Sequence, residues 1–259
     1  MSDSASRLYR WVRQHAAEPR RLLWSHVTDG WALREIIEQK QLTPRKCPVF
    51  EKDLIYLFYG RPAYRKRLAT AMRTAGRAPV VLLFTEAVER LAIRLFPFDS
   101  GAFAGNRYET WMHRHMTIDE FELPCDSVCP PNFVKAFYEN NDNYWDCEPT
   151  GLPRNTAGEH EVESLFDMIR DLDIASADDR RLSLELIVGT AVPLTPEYVR
   201  AIIVPSPMMD ASYVKDIFTE QGIPLAPYRF RKNQPAIEYQ VALENQIYAI
   251  LEALSAFKS

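Results

Sequence analysis

The chain has no glycine-rich phosphate loop: its nine glycines are dispersed, and none falls in a GxGxxG or GxxxxGK[ST] pattern. Without such a loop the backbone cradle of the commonest nucleotide folds is excluded. A GxSxG elbow and an HExxH helix are equally missing, which removes two familiar hydrolase signatures. Four cysteines in 259 residues are too few for a disulfide scaffold, and thiols are the expected state in a reducing compartment. No apolar run reaches the roughly 18 to 20 residues that span a bilayer. The opening segment MSDSASRLYRWVRQ is polar and arginine-bearing instead of carrying a signal-peptide core, so a cytoplasmic location away from membranes is expected. Excess positive charge is also missing. A net charge of −4 argues against a general nucleic-acid binder, which needs clustered cations to release counterions.

What is present is a globular composition, 47% hydrophobic and 25% charged, which excludes disorder as the main state. A single domain over residues 1–259 is expected, near the upper limit for one core. The charge total hides one asymmetry: RPAYRKRLATAMRTAGR, 61–77, holds Arg61, Arg65, Lys66, Arg67, Arg73 and Arg77 and no acid. Such a run is either a solvated helix face or a surface for phosphates.

Spacing along the chain predicts a helix over 5–17, a short strand over 22–29, and a helix after it capped by Asp29, with Leu33, Ile36 and Ile37 as its apolar stripe. Strands are expected at 53–60, 79–84 and 199–205, an alternating strand at MTIDEFEL, a helix at EHEVESLFDMIRDL and a closing helix near the C-terminus. LAIRLFPFDSGAFAG, with Pro97, Asp99, Ser100 and Gly101, reads as an aromatic-bearing turn and not a regular element, and 138–158, rich in Asn, Asp, Pro and Gly, as a long mobile loop. No regular βαβ alternation appears, so the expected class is α+β.

One strand carries an anomaly. In DDRRLSLELIVGTAVPL, 178–194, Leu182, Leu184, Leu186 and Val188 share one face, while Ser183, Glu185 and Ile187 share the other. Glu185 is then either an exposed residue paired with Arg180 or Arg181, worth about 1 kcal/mol at most, or an acid facing a cleft. Elsewhere SHVTD sets His26 and Thr28 on one side of a strand end, and YLFYGRPAYR brings Tyr56, Tyr59, Arg61, Tyr64 and Arg65 to the end of another. His113, His115, Cys125 and Cys129 are a conceivable zinc set or Cys-His nucleophile, but their spacing follows no known signature. Buried small hydrophobes are the default reading for the cysteines.

Taken in order, SHVTDGWALREIIEQKQL, LIYLFYGRPAYR and DDRRLSLELIVGTAVPL resemble the ADP-ribosyltransferase superfamily, and within it the DarT-like DNA-modifying toxins of toxin-antitoxin pairs. Those proteins place a His-x-Thr before a helix, an aromatic strand with a nearby arginine, and a later RR-containing strand with a catalytic glutamate. The resemblance covers about a third of the chain, and Asp99 to Gly158 has no counterpart in it. Other stretches, FYGRPAYR, FPFDSGAF and DDRR, resemble uncharacterised bacterial proteins and imply no activity.

The resemblance implies an ADP-ribosyltransferase-like split sheet flanked by helices, with NAD as substrate. It implies that Glu185 is the catalytic acid and that His26 and Thr28 hold the nicotinamide-side ribose and amide. Tyr59 is expected to stack near the nicotinamide and Arg61 to face the phosphates, with Arg65, Arg180 and Arg181 as further substrate or phosphate contacts; no metal is expected. A single-stranded nucleic acid, a protein side chain or water is the expected acceptor, and an antitoxin or other regulator an expected partner. Two other classes stay open: a non-catalytic module that binds a nucleotide or a partner, and a zinc- or cysteine-dependent hydrolase.

Overall fold

Pro79–Phe84 is an unbroken run of apolar residues, PVVLLF, and all six are buried. A strand with no polar face needs cover on both sides, which places it inside a sheet. The computed structural model describes residues 5–16, 20–63, 71–151, 156–171 and 179–257, with only the backbone at 218, 236 and 237. Its main sheet has eight strands: β1 (Trp24–Asp29), β2 (Arg45–Lys46), β3 (Asp53–Tyr59), β4 (Pro79–Phe84), β5 (Ala92–Phe96), β6 (Glu185–Val188), β7 (Val199–Pro205) and β8 (Leu225–Tyr228). The order is β8-β7-β4-β1-β3-β6-β5, with β2 beside β3. Only β7 and β8 run parallel; the remaining pairs are antiparallel.

The helices are α1 (Arg7–Val12), α2 (Gly30–Glu38), α3 (Ser100–Ala104), α4 (Cys129–Tyr138), α5 (Asn141–Trp145), α6 (His160–Arg170), α7 (Ser212–Gln221) and α8 (Ala236–Ala253). The result is a mixed α/β fold with a central mixed sheet flanked by helices. Among the described residues no helix is long and apolar enough to cross a membrane.

Strand β1 is held unequally by its two neighbours. Along β4 it pairs through all six of its residues, Trp24 to Asp29. Along β3 it pairs only through Trp24 with Tyr59 and Ser25 with Phe58. Beyond Ser25 the ladder stops, and β3 continues instead beside β6, from Phe58 opposite Glu185 to Ile55 opposite Val188. Asp29 ends β1 and starts α2 at once: its carboxylate accepts from the N–H groups of Trp31 and Ala32 at 3.1 and 3.0 Å, an N-cap typically worth about 1 kcal/mol.

Several elements depart from the sequence reading. β6 starts only at Glu185, because Asp179–Leu182 forms a 3₁₀ turn. LAIRLFPFDSGAFAG is not one irregular turn: it holds β5, Ala92–Phe96, and α3 from Ser100, capped by the Asp99 carboxylate on the Ala102 N–H at 2.9 Å. MTIDEFEL is not a strand. Glu120 folds back onto the Thr117 N–H at 2.6 Å and closes a 3₁₀ turn over Ile118–Phe121, leaving a single bridge from Leu123 to Leu95. The described part of 138–158 is not one loop either, since it contains α5, whose Tyr144 is fully buried.

Candidate functional site

A sheet face carries alternate residues, so the β3–β6 register sorts side chains into two sets. Ile55, Leu57, Tyr59, Leu186 and Val188 join the main core. Leu54 and Ile187, with Tyr56 packed against them, join a smaller cluster with Cys47 and Phe96. Glu185 stands opposite both Phe58 and Phe96, on this second side, and is only 2% exposed. Its carboxyl therefore faces neither open water nor the main core. It lines a cleft of about 420 Å³ together with His26, Thr28, Tyr56, Asp99 and Arg180, a volume in the range of small-molecule sites.

The cleft exists because β1 and β3 part. His26 sits one residue beyond the last pair, and its Nδ1 lies 3.0 Å from the Tyr56 carbonyl oxygen, taking up an acceptor the ladder leaves over. With Nδ1–H donating, the neutral ring keeps Nε2 as an acceptor. Burial and, secondarily, the Arg45 cation lower the imidazole pKa, against the opposing effect of the Tyr56 carbonyl. Tyr56 donates its hydroxyl to the Cys47 Sγ at 2.8 Å. Burial raises its phenol pKa, as do the Cys47 contact and the nearby Glu185 and Asp99 carboxyls.

Glu185 is held by the turn after β5. Its Oε1 accepts from the Ser100 N–H at 3.1 Å and from the Ser100 hydroxyl. Burial, followed by the charge of Asp99, pushes its pKa up to about 8; the Ser100 bonds and Arg180 oppose the rise. A carboxyl poised there has the proton affinity expected of a group that exchanges protons near neutral pH. Arg180 donates to Asp99 at 2.7 Å in a buried pair, so its charge is engaged inside the cleft wall.

Of the residues expected from the sequence, His26, Thr28, Arg180 and Glu185 come together here. Three others lie elsewhere. Tyr59 is in the main core, fully buried, its ring 4.9 Å from Trp24 and its hydroxyl oxygen accepting from the Leu22 N–H at 2.9 Å. Its odd position on β3 puts it with Ile55 and Leu57, three residues on from Tyr56 and facing the other way. Arg61 is buried over the Tyr144 ring and donates to the Leu182 carbonyl at 3.1 Å and to the Cys147 thiol. Arg181 is also buried, donating to the carbonyls of Met168 and Asp171 near the C-terminus of α6, where a cation satisfies orphan acceptors. Both arginines tie chain segments together and do not line the cleft. Tyr64 and Arg65 lie outside the described residues.

Sequence reasoning does not single out Cys47, Asp99 or Ser100. Asp99-Ser100 is visible as an N-cap pair after an apolar strand, but nothing in the spacing shows that it meets β6. Among the described residues no group of three or more His, Cys, Asp or Glu side chains is placed to hold a metal. His113 and His115 are exposed, Cys129 is buried, and burial pushes the Cys125 thiol up to about 12, which is unfavourable for a thiolate ligand or nucleophile. Compared by sequence with models of known families and with curated proteins, the chain finds no match.

Proposed function

We propose that the chain is an NAD-consuming enzyme of the ADP-ribosyltransferase type, passing ADP-ribose to a nucleobase, a protein side chain or water. The observation that carries this reading is the convergence of His26 from β1, Tyr56 from β3 and Glu185 from β6 on one cleft at a parted seam of the sheet. The resemblance in sequence implies a split sheet with a glutamate beneath the ribose, and the reading draws its support from the buried Glu185 at the edge of this cleft. In this reading Tyr56, which lines the cleft, stands in for Tyr59, which does not.

The chemistry follows from the groups present. The bond from ribose C1′ to the nicotinamide nitrogen breaks with its electron pair going to the ring, which leaves as neutral nicotinamide. The acceptor's lone pair forms the new bond to C1′, and its proton passes to Glu185 or to solvent. The transition state carries oxocarbenium character, so an ionised carboxylate beside the ribose stabilises it in a site of low dielectric. His26 and Thr28 offer polar atoms to the ribose and amide, and Tyr56 an aromatic face.

The direct test is nicotinamide release from NAD by purified protein, alone and with single-stranded oligonucleotides. Release is expected. NAD binding by calorimetry without any release favours the non-catalytic nucleotide-binding module, and neither binding nor release overturns the reading. A second measurement locates the ligand: Cys47 lines the cleft, so NAD should slow its alkylation by a small thiol reagent, followed by mass spectrometry. Equal rates with and without saturating NAD would place the dinucleotide elsewhere.

A further inference from the structure

Ser100 is fully buried and contributes both its backbone N–H and its hydroxyl to the same oxygen of Glu185. Among the described residues no side chain hydrogen-bonds the other oxygen, Oε2. The turn that carries Ser100 is itself pinned twice to the segment leading into β6: the Asp99 N–H donates to the Arg180 carbonyl at 3.1 Å, and the Arg180 guanidinium pairs with the Asp99 carboxylate at 2.7 Å. The other Asp99 oxygen accepts from the Ala102 N–H at 2.9 Å. The turn from Asp99 to Ala102 is thus pinned on two sides, and it holds one oxygen of the buried acid at the edge of the cleft.

We propose that Ser100 is a positioning residue for Glu185, fixing one carboxylate oxygen so that the other is presented to the ribose, with the Asp99–Arg180 pair holding Ser100 in register. Its catalytic meaning rests on the NAD reading. Both Ser100 bonds are made to an acceptor and favour the anion, so Ser100 also sets the pH above which the acid is ionised. The other charged or titratable groups around Glu185 are Asp99 and Arg180 beside it, Tyr56 from β3, His26 from β1, and Glu35, Arg45, Lys46 and Cys47 from the remaining cleft wall. None of them is altered by a substitution at Ser100.

The test is the pH profile of kcat/KM for nicotinamide release, which reports groups of the free enzyme, in wild type, Ser100→Ala and Ser100→Thr. Loss of one charge-assisted hydrogen bond should move the acid limb of Ser100→Ala up by about one pH unit and lower the rate about tenfold at neutral pH. The deficit should shrink above about pH 9.5, where the carboxyl ionises regardless, and Ser100→Thr should restore the wild-type limb. A loss of equal size at every pH, or an unshifted limb, overturns the proposal. Should Ser100→Ala fail to fold by circular dichroism, Ser100→Cys, similar in volume with a weaker donor, must show the same displacement. If wild type releases no nicotinamide, the NAD reading fails by itself. Positioning is then read from the carbon-13 titration of the Glu185 carboxyl, assigned with Glu185→Gln: a higher pKa in Ser100→Ala supports it and an equal one overturns it.

Discussion

Glu185→Gln should abolish nicotinamide release, with a loss on the order of 10³-fold in kcat, while the protein stays folded. The amide keeps the shape of the carboxyl, and its oxygen still accepts from the Ser100 N–H and hydroxyl that now bond Oε1. What it lacks is the negative charge that offsets the developing oxocarbenium ion. Stability responds with the opposite sign. The Glu185 pKa is raised to about 8 from an ordinary 4.5; between those values the unfolded chain has lost a proton that the native state retains. Wild-type stability from this group therefore falls as pH rises through the window and levels off above about 8. Glutamine does not ionise, so Glu185→Gln should gain on wild type in urea midpoints from acid toward alkaline pH. Residual release near the wild-type rate would remove Glu185 from the mechanism.

Tyr59→Ala and Tyr56→Ala should separate cleanly although the residues are three apart. Tyr59 is fully buried against Trp24 and Tyr144, and its hydroxyl satisfies the Leu22 N–H. Truncation leaves a large cavity and an orphaned donor, a cost of about 3 to 5 kcal/mol, enough to unfold a marginal domain. Tyr56 stands at the cleft and is only partly buried. Its removal should cost about 1 kcal/mol of stability but lower kcat/KM for NAD by about tenfold to a hundredfold. Thermal melts and nicotinamide release on the same preparations decide it. A stable, inactive Tyr59→Ala beside an unstable Tyr56→Ala would reverse the assignment of faces.

The elements most legible in the sequence are those with one dominant signal. PVVLLF is apolar throughout and forms β4; Asp29 before Gly-Trp-Ala-Leu is a cap and starts α2. The two-sided pattern around Glu185 is legible too, down to Leu184, Leu186 and Val188 joining one cluster and Ile187 another. On β3 the same alternation is available, yet it does not say which parity faces the cleft, because tyrosines occupy both faces and either can be packed or presented. Other elements are hidden by conflicting local signals. Pro130 and Pro131 read as breakers, but at the first turn of α4 a missing N–H costs nothing. The Asp-Ser-Gly of the α3 cap masks β5 just before it. The contact from Ser100 to Glu185 spans 85 positions in sequence, and no local pattern encodes a pairing at that separation.

The two-pair seam between β1 and β3 also has a mechanical side. Strands β1, β4, β7 and β8 form one slab, and β2, β3, β6 and β5 another. Among the described residues the rungs that join the slabs are Trp24–Tyr59 and Ser25–Phe58, with the Gly60 N–H bonded to the Leu23 carbonyl at 2.8 Å just beyond them and one hydrophobic core shared by both, so this is the narrowest join of the inner strands. On the NAD reading, a ligand that touches His26 on one slab and Glu185 on the other bridges that narrow join, and amide exchange along β1 and β3 should slow when it binds.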